Sequence, residues 1–214
     1  MKRTCLTLCS IIVSIFALAN AAQANVEVPE RQNKWEAGLD FYSIIPNENK
    51  VDNSLNLGGH VDYGLFDNLA LGFSIGWQDP DLSATLGDGT EAPVGSLTMI
   101  PVFADFIFRE RPGHYDNLYS FYAVIGVGGT FVSHDDDSIL ATNNLRAVVN
   151  DSFALKFGLG MEYYVNKNWI LFLEGGFVAT GSEIEYVNRV NGASIDTKDL
   201  DYWYLGGGAK YLFQ

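Results

Sequence analysis

The amino-acid sequence predicts an all-β fold, an eight-stranded antiparallel transmembrane β-barrel of the outer-membrane type, with short periplasmic turns and longer extracellular loops. Three observations predict it. Segments of about ten residues alternate apolar with small or polar side chains, asparagine-containing turns recur at nearly constant spacing, and the chain ends in an alternating strand with a near-terminal aromatic residue. All three are typical of a barrel whose outer face meets lipid.

The N-terminal segment 1–24 has the layout of a secretory signal peptide that is cleaved from the mature protein. Lys2 and Arg3 precede a largely apolar run over 11–22, and Ala22-Gln23-Ala24 is a small-residue cleavage site. The alternative is a membrane-spanning helix, which requires ~20 apolar residues and therefore a longer run than this one.

The composition excludes several classes of function. Both cysteines, Cys5 and Cys9, lie in the signal segment, so the barrel domain, predicted over 25–214, has no disulfide framework and no thiolate site. The signal holds two of the 13 Lys and Arg and none of the 26 Asp and Glu, which leaves the mature chain with a net charge of −15. So acidic a chain repels nucleic acid. We expect no nucleic-acid partner and no cofactor.

The alternation is clearest in two segments, 69–78 and 152–164. In the second, one face carries Phe153, Leu155, Phe157, Leu159, Met161 and Tyr163, and the other carries polar or small residues such as Lys156, Gly158 and Glu162. Because successive side chains of a strand point to opposite faces, this pattern makes one face apolar and the other polar.

The connections set the strand count. Asn68, Asn117 and Asn168 lie in three similar short turns, 49 and 51 residues apart. Four polar stretches, over 46–53, 78–95, 133–151 and 180–198, alternate with these turns. Seven connections join eight strands, which we predict at 34–44, 55–65, 69–78, 96–109, 118–132, 152–164, 169–179 and 200–213.

A soluble lipocalin-like barrel is the structural alternative, and it would turn the apolar face inward around a ligand. Two features favour the membrane. Trp35, Trp77, Trp169 and Trp203 lie near strand ends, where aromatic girdles occur. The last strand alternates from Trp203 to Phe213, as in strands that the outer-membrane assembly machinery reads.

The inner face supplies the candidate functional residues. Extending the alternation inward places nine ionisable side chains in the lumen, namely Glu36, Asp40, His60, Asp62, Asp105, Lys156, Glu162, Glu174 and Lys210. Charges buried in so narrow a space must be paired or hydrated. Two arrangements are open: a salt-bridge network around Lys156 and Lys210 that plugs the lumen, and a narrow, cation-tolerant path past an excess of carboxylates.

We expect no enzymatic activity. Membrane-embedded hydrolases and acyltransferases need a nucleophile with a histidine close by. Of three histidines only His60 is predicted inside the barrel, on the same face as Asp62, and no serine stands at a suggestive spacing. A structural hydrogen bond between His60 and Asp62 is the favoured interpretation.

One loop is a weak candidate for a metal site. Asp135, Asp136 and Asp137 follow His134 in the stretch 133–151. Such carboxylates can hold Ca²⁺ or Mg²⁺ and bridge to lipopolysaccharide phosphates. A solvated acidic loop is the favoured alternative.

Several segments carry a family resemblance through their order along the chain. They are Ile100-Pro101, Asp151-Ser152-Phe153-Ala154, Gly158-Leu159-Gly160-Met161-Glu162-Tyr163-Tyr164, Asn166-Lys167-Asn168-Trp169, Ile195-Asp196, and the run from Asp201-Tyr202-Trp203 to Phe213. Over nearly the whole mature length they resemble the OmpW-like outer-membrane proteins. The departures are Tyr202 where the family has proline, Lys210 before Tyr211, and Gln214 after the terminal phenylalanine.

The resemblance implies that small hydrophobic molecules cross the outer membrane through a narrow apolar pocket, with a lateral exit through the wall. Pro101 is the candidate for a wall bulge or lateral opening, because a proline in a strand cannot donate to the ladder. The charged inner face is more polar than such a channel requires.

Two functions therefore stand as alternatives. The first is passive transport of small, hydrophobic solutes, in a protein that reaches the bacterial outer membrane by export through the periplasm and the barrel assembly machinery. The second is a structural or surface-interaction barrel with a plugged lumen, whose acidic loops bind lipopolysaccharide, divalent cations or external partners. In either case the outer face contacts outer-membrane lipid.

Overall fold

The computed structural model describes residues 29–47, 51–85, 91–110, 118–136, 145–188 and 194–213, so the segment 1–24, which is predicted to be a signal peptide, and parts of the loops lie outside it. Within these ranges the chain forms twelve β-strands. They are β1 (Trp35–Pro46), β2 (Ser54–Phe66), β3 (Leu69–Gln78), β4 (Asp81–Thr85), β5 (Glu91–Glu110), β6 (Tyr119–Asp136), β7 (Leu145–Val149), β8 (Ser152–Tyr164), β9 (Trp169–Thr180), β10 (Glu183–Asn188), β11 (Ser194–Asp199) and β12 (Tyr202–Leu212). No helix in the described ranges is long and apolar enough to cross a membrane.

Eight of these strands close into one antiparallel barrel. The order around the wall is β3-β2-β1-β12-β9-β8-β6-β5, and the pairing of β3 with β5 closes the circle. The first and last strands are neighbours, with Glu36 opposite Leu212. We call the end with the short turns and both chain termini the turn end, and the opposite end the loop end.

The predicted strands agree with the observed ones within a few residues, and the predicted fold class is confirmed. The turns at Asn68 and Asn168 are present between β2 and β3 and between β8 and β9. The third turn, with Asn117, lies outside the described residues, but β5 and β6 pair on either side of it, with Glu110 opposite Phe121. The asparagine spacing therefore predicted the topology correctly.

The prediction of plain loops at the loop end was wrong in part. The stretch 78–95 contains β4, which pairs with the extended β5, and the later stretches contain β7, β10 and β11, which form a separate three-stranded sheet. β6 also runs to Asp136, so Asp135 and Asp136 belong to a strand and not to a loop. These strands have only five or six residues and lie within polar stretches, so their short alternations, such as Asp81-Leu82-Ser83-Ala84, did not indicate strands of about ten residues.

The outer face of the barrel is apolar, as a lipid-facing surface requires. Leu39, Leu159 and Leu205 are 65%, 71% and 64% exposed, and each lies near the middle of its strand. Exposed aromatic residues mark both ends, with Trp35 and Trp169 at the turn end and Trp203 at the loop end. In water so large an exposed apolar band would be unstable, whereas in a membrane it is solvated by lipid.

The apolar band predicts a specific sensitivity to charge. Leu159→Arg, at the middle of β8, should lower the free energy of unfolding in lipid vesicles by about 2–4 kcal/mol, because an arginine there faces hydrocarbon. Denaturant titration followed by tryptophan fluorescence measures it. Glu183→Arg, at an exposed position of β10, is the control and should change stability little. Equal effects of the two substitutions would contradict the assignment of a lipid-facing band.

Candidate functional site

The lumen is divided along its axis into three layers of side chains. The ion layer at the turn end consists of Arg31, Glu36, Asp62, Arg109, Glu162 and Lys210. The middle layer consists of Asp40, His60, Ser74, Asp105, Lys156 and Glu174 with Tyr42, Tyr122 and Tyr204. The apolar layer at the loop end consists of Ile44, Val51, Leu82, Leu97, Met99, Phe103, Val178, Ile184, Leu200 and Tyr202.

Glu162 is the centre of the ion layer and is completely buried. Its carboxylate oxygens lie 2.9 Å from Arg31 Nη2, 3.0 Å from Lys210 Nζ and 3.5 Å from Arg109 Nε. Ser120 Oγ donates a further hydrogen bond of 3.1 Å to it. A carboxylate in this environment is stable because three cations surround it.

The other two carboxylates connect the same three cations. Glu36 lies 3.2 Å from Arg31 Nη1 and 3.2 Å from Arg109 Nη2. Asp62 lies 3.5 Å from Arg109 Nη2 and 3.6 Å from Lys210 Nζ. Three cations and three carboxylates thus form a neutral network across the turn end, which satisfies the requirement that buried charge be paired.

Arg31 reaches this network from a segment that precedes β1. Its backbone amide donates to Asp67 Oδ1 at 2.9 Å, and the amide of Asn33 donates to the carbonyl of Gly64 at 2.8 Å. Gly64 is required by close approach, since any Cβ there would collide with the carbonyl oxygen of Arg31. Burial alone would lower the pKa of Arg31, but the charges of Glu162 and Glu36 outweigh it and raise that pKa, so the guanidinium stays charged.

Two side-chain pairs of the middle layer each contain a carboxylate, one between the neighbouring strands β1 and β2 and one that reaches across β6 from β8 to β5. His60 Nδ1 lies 2.8 Å from Asp40 Oδ1, and Lys156 Nζ lies 2.8 Å from Asp105 Oδ2. Ser74 Oγ donates to the same Asp105 oxygen at 2.7 Å. Each pair therefore holds one carboxylate against the barrel wall.

Glu174 is held differently. Its Oε2 accepts a hydrogen bond of 2.7 Å from the Tyr122 hydroxyl, and its Oε1 accepts one of 2.8 Å from the Tyr204 hydroxyl. Gly160 leaves room for the Tyr122 ring, and a Cβ at that position would overlap it. Small inward residues beside large ones therefore shape this level of the lumen.

A cavity of about 70 Å³ lies between the ion layer and the apolar layer. Polar residues such as Asn56 and Ser74 line one part of it, and aromatic residues such as Tyr42 and Phe103 line another. Its lining also includes Ile75, Gly76 and Pro101. The cavity therefore borders the wall between β3 and β5.

The wall is incompletely paired at this place. The ladder between β3 and β5 runs from Leu69 opposite Phe108 to Ile75 opposite Val102, and resumes at Gln78 opposite Met99. The two positions between, at Gly76 with Pro101 and Trp77 with Ile100, carry no pairing in this ladder. We call these four residues the wall gap. Pro101 has no amide hydrogen to donate, which fits its place in the gap.

The structure places all nine predicted lumen residues inside the barrel. Glu36, Asp62, Glu162 and Lys210 meet in the ion layer, whereas Asp40, His60, Asp105, Lys156 and Glu174 lie in the middle layer. Lys156 does not join the network around Lys210 as expected. Arg31 and Arg109 supply the other two cations of that network, and neither was among the predicted lumen residues. Arg109 has the same parity as Asp105 on β5, so the alternation could have found it.

The prediction of a hydrogen bond between His60 and Asp62 is wrong. The His60 ring bonds to Asp40 on the neighbouring β1, and its Nε2 lies 4.0 Å from Asp62 Oδ2. Residues two apart on one strand stand about 6–7 Å apart, whereas side chains on neighbouring strands approach more closely. Ser74, which also lines the cavity, bonds to Asp105 and Lys156.

The candidate metal loop is only partly described. Asp137 lies outside the described residues, as do the side chains of Asp135 and Asp136. In the described part of the chain, no group of three or more His, Cys, Asp or Glu side chains is placed to hold a metal ion.

The closed eight-stranded wall, the lipid-facing band and the filled lumen define an outer-membrane type of barrel. No family model and no curated protein matches the sequence. Solved structures do match its fold. OprG from Pseudomonas aeruginosa has a TM-score of 0.75 at 15% identity, over 89% of this chain and 100% of that one.

Two further structures have the same fold. AlkL, determined in lipid bilayers, has a TM-score of 0.56 at 17% identity, over 89% of this chain and 95% of its own. Outer membrane protein W of E. coli has a TM-score of 0.56 at 16% identity, over 86% of this chain and 100% of its own. At these identities the likeness shows the fold.

The ion layer predicts a large stability effect. Glu162→Gln should destabilise the barrel by about 3–5 kcal/mol, because it leaves three buried cations with two carboxylates. Denaturant unfolding in lipid vesicles measures the change. Glu110→Gln, at an exposed position of β5, is the matched control and should have little effect. A Glu162→Gln variant as stable as the control would show that the network contributes no net stability.

Proposed function

We propose that this protein is an outer-membrane barrel that lets small hydrophobic molecules pass passively from the outside into the membrane through the wall gap. In this proposal the loop end faces the outside and the turn end faces the periplasm. The observation that carries it is the interruption of the ladder beside Pro101, at the place where Gly76 and Pro101 line the lumen cavity. The proposed role is non-catalytic.

The ion layer supports a lateral route over an axial one. Six buried charges close the turn end, and a hydrophobic solute would have to break their pairings to enter the periplasm. Separating such pairs in a low-dielectric interior is unfavourable by several kcal/mol. A solute in the middle of the lumen has a shorter way out through the wall gap, where the flanking residue Ile75 is apolar.

The apolar layer supports a hydrophobic solute. Leu82, Leu97 and Ile184 are almost fully buried at the loop end, and they present no charge to an entering molecule. An apolar solute can exchange contacts with such side chains at little cost, whereas an ion would lose its hydration there. The resemblance of the segment motifs to OmpW-like proteins and the fold shared with outer membrane protein W of E. coli favour the same role.

A disulfide across the wall gap tests the route. Trp77→Cys with Ile100→Cys places two thiols at facing positions in a mature chain that has no other cysteine. When the disulfide forms, it holds β3 and β5 together, since its Cα atoms cannot be more than about 7 Å apart. Uptake of radiolabelled toluene by cells should fall to the level of cells without the protein. Reduction of the disulfide should restore it.

The control uses a paired part of the wall. Phe157→Cys with Phe177→Cys joins β8 and β9, where the two phenylalanines face each other in a continuous ladder. This disulfide should leave toluene uptake unchanged. Undiminished uptake with the wall gap locked would contradict the lateral route.

A structural or surface-interaction barrel is the second candidate. The ion layer and the apolar layer support it, because together they fill the lumen on both sides of a small cavity. The strands at the loop end would then present the binding surface to lipopolysaccharide, divalent cations or external partners. Equal toluene uptake by cells with and without the protein would favour this candidate over transport.

A further inference from the structure

The middle layer holds three acidic side chains and only two basic ones among the described residues. Asp40, Asp105 and Glu174 are buried there, with exposed fractions of 4%, 4% and 8%. The basic side chains are Lys156, bound to Asp105, and His60, bound to Asp40. The three basic side chains of the ion layer are paired with its own three carboxylates.

Glu174 is the carboxylate without a basic partner. Its two hydrogen bonds come from the neutral hydroxyls of Tyr122 and Tyr204, and among the described residues no Lys, Arg or His nitrogen lies within 4.0 Å of it. A buried carboxylate without a basic partner can accept hydrogen bonds from a cation that comes from outside the protein.

Three tyrosines, Tyr42, Tyr122 and Tyr204, line the cavity together with Glu174. The Tyr42 and Tyr204 rings meet edge to face at 5.1 Å. Ring faces attract cations, most strongly where water is excluded. The lumen already uses this contact, since the Lys210 ammonium lies 5.2 Å from the centroid of the Tyr122 ring on the turn-end side.

We propose that Glu174 with Tyr42, Tyr122 and Tyr204 forms a binding site for the protonated head of a small organic amine. The inference rests on the proposed function only in that the amine reaches the cavity through the lumen. The ammonium donates to Glu174 and lies against the tyrosine rings, while its carbon substituents face Phe103 and the apolar layer. A cavity of about 70 Å³ has room for a few water molecules and so for a methylammonium-sized head.

An amine fits these residues better than a metal ion does. In the described part of the chain, no three carboxylates or histidines converge on one point in this cavity. A primary ammonium needs only one carboxylate for a charge-assisted hydrogen bond, and its remaining surface can be satisfied by hydroxyls and ring faces. The binding site should therefore require N–H donors and not merely positive charge.

The experiment compares two cations on the reconstituted barrel. Methylammonium chloride and tetramethylammonium chloride are titrated against protein with ¹³C-labelled tyrosine rings, with ionic strength held constant by sodium chloride. Methylammonium should shift tyrosine ring signals with saturation, because it has N–H donors. Tetramethylammonium should not, since it has none. Glu174→Gln should weaken methylammonium binding at least about tenfold, because it removes a charge-assisted hydrogen bond.

The control variant is Glu183→Gln, which removes the same charge from an exposed position of β10 and should bind methylammonium like the wild type. Absence of saturable methylammonium binding, equal binding of both cations, or undiminished binding by a folded Glu174→Gln variant would overturn the inference. If Glu174→Gln does not fold, the comparison of the two cations on the wild-type protein decides.

Toluene uptake by the same variants separates this inference from the proposed function. If the Glu174→Gln variant loses methylammonium binding while cells that carry it still take up toluene, the result supports both the amine site and the lateral route. Wild-type protein that takes up toluene without binding methylammonium overturns the amine site alone. Methylammonium binding without toluene uptake supports the amine site and contradicts the route.

Discussion

The structure depends on one constraint, the pairing of every backbone amide in a sheet that has no free edge within the membrane. An unpaired amide costs several kcal/mol in hydrocarbon, so an open sheet is not a stable alternative there. The contact of β3 with β5 meets this requirement by closing the circle, and the pairing of β1 with β12 brings the two ends of the chain together. Lipid-facing residues and lumen residues then follow from the alternation of side chains along each strand.

Closure with only eight strands makes the interior narrow, and charged side chains in the lumen must therefore be paired with one another. There is no wide water-filled channel to solvate a carboxylate, so each charge needs a partner within reach. Glu162 meets this requirement with three cations, and Asp105 meets it with Lys156 and Ser74. Glycines opposite bulky side chains, such as Gly160 opposite Tyr122, make the space in which these contacts form. Glu174, which has only tyrosine partners, is the exception on which the amine site is based.

The wall gap is the place where the closure constraint is relaxed. Pro101 cannot donate an amide hydrogen, and the ladder loses two pairs beside it while the β5–β6 ladder on the other side stays continuous through Pro101 opposite Thr130. A short interruption of this kind is tolerable where polar groups such as Asn56 lie on the inner side. The proposed route runs from the lumen cavity through this interruption to the outer face. That route therefore depends on the position of one proline in β5.

The sequence by itself determined the strand count, the topology and the inward face of each strand, because side-chain alternation and turn chemistry are local properties. It also placed nine ionisable residues in the lumen and Pro101 in the wall. Only the tertiary structure decided which charges meet: Glu162 with Arg31, which precedes the barrel, and His60 with Asp40 in place of Asp62. Arg31 reaches Glu162 across the lumen, and His60 meets Asp40 on the paired strand β1, so both contacts depend on how the strands are staggered in the closed barrel, which no local pattern records. The short strands at the loop end were not predicted, because five or six alternating residues within a polar stretch are difficult to distinguish from a loop.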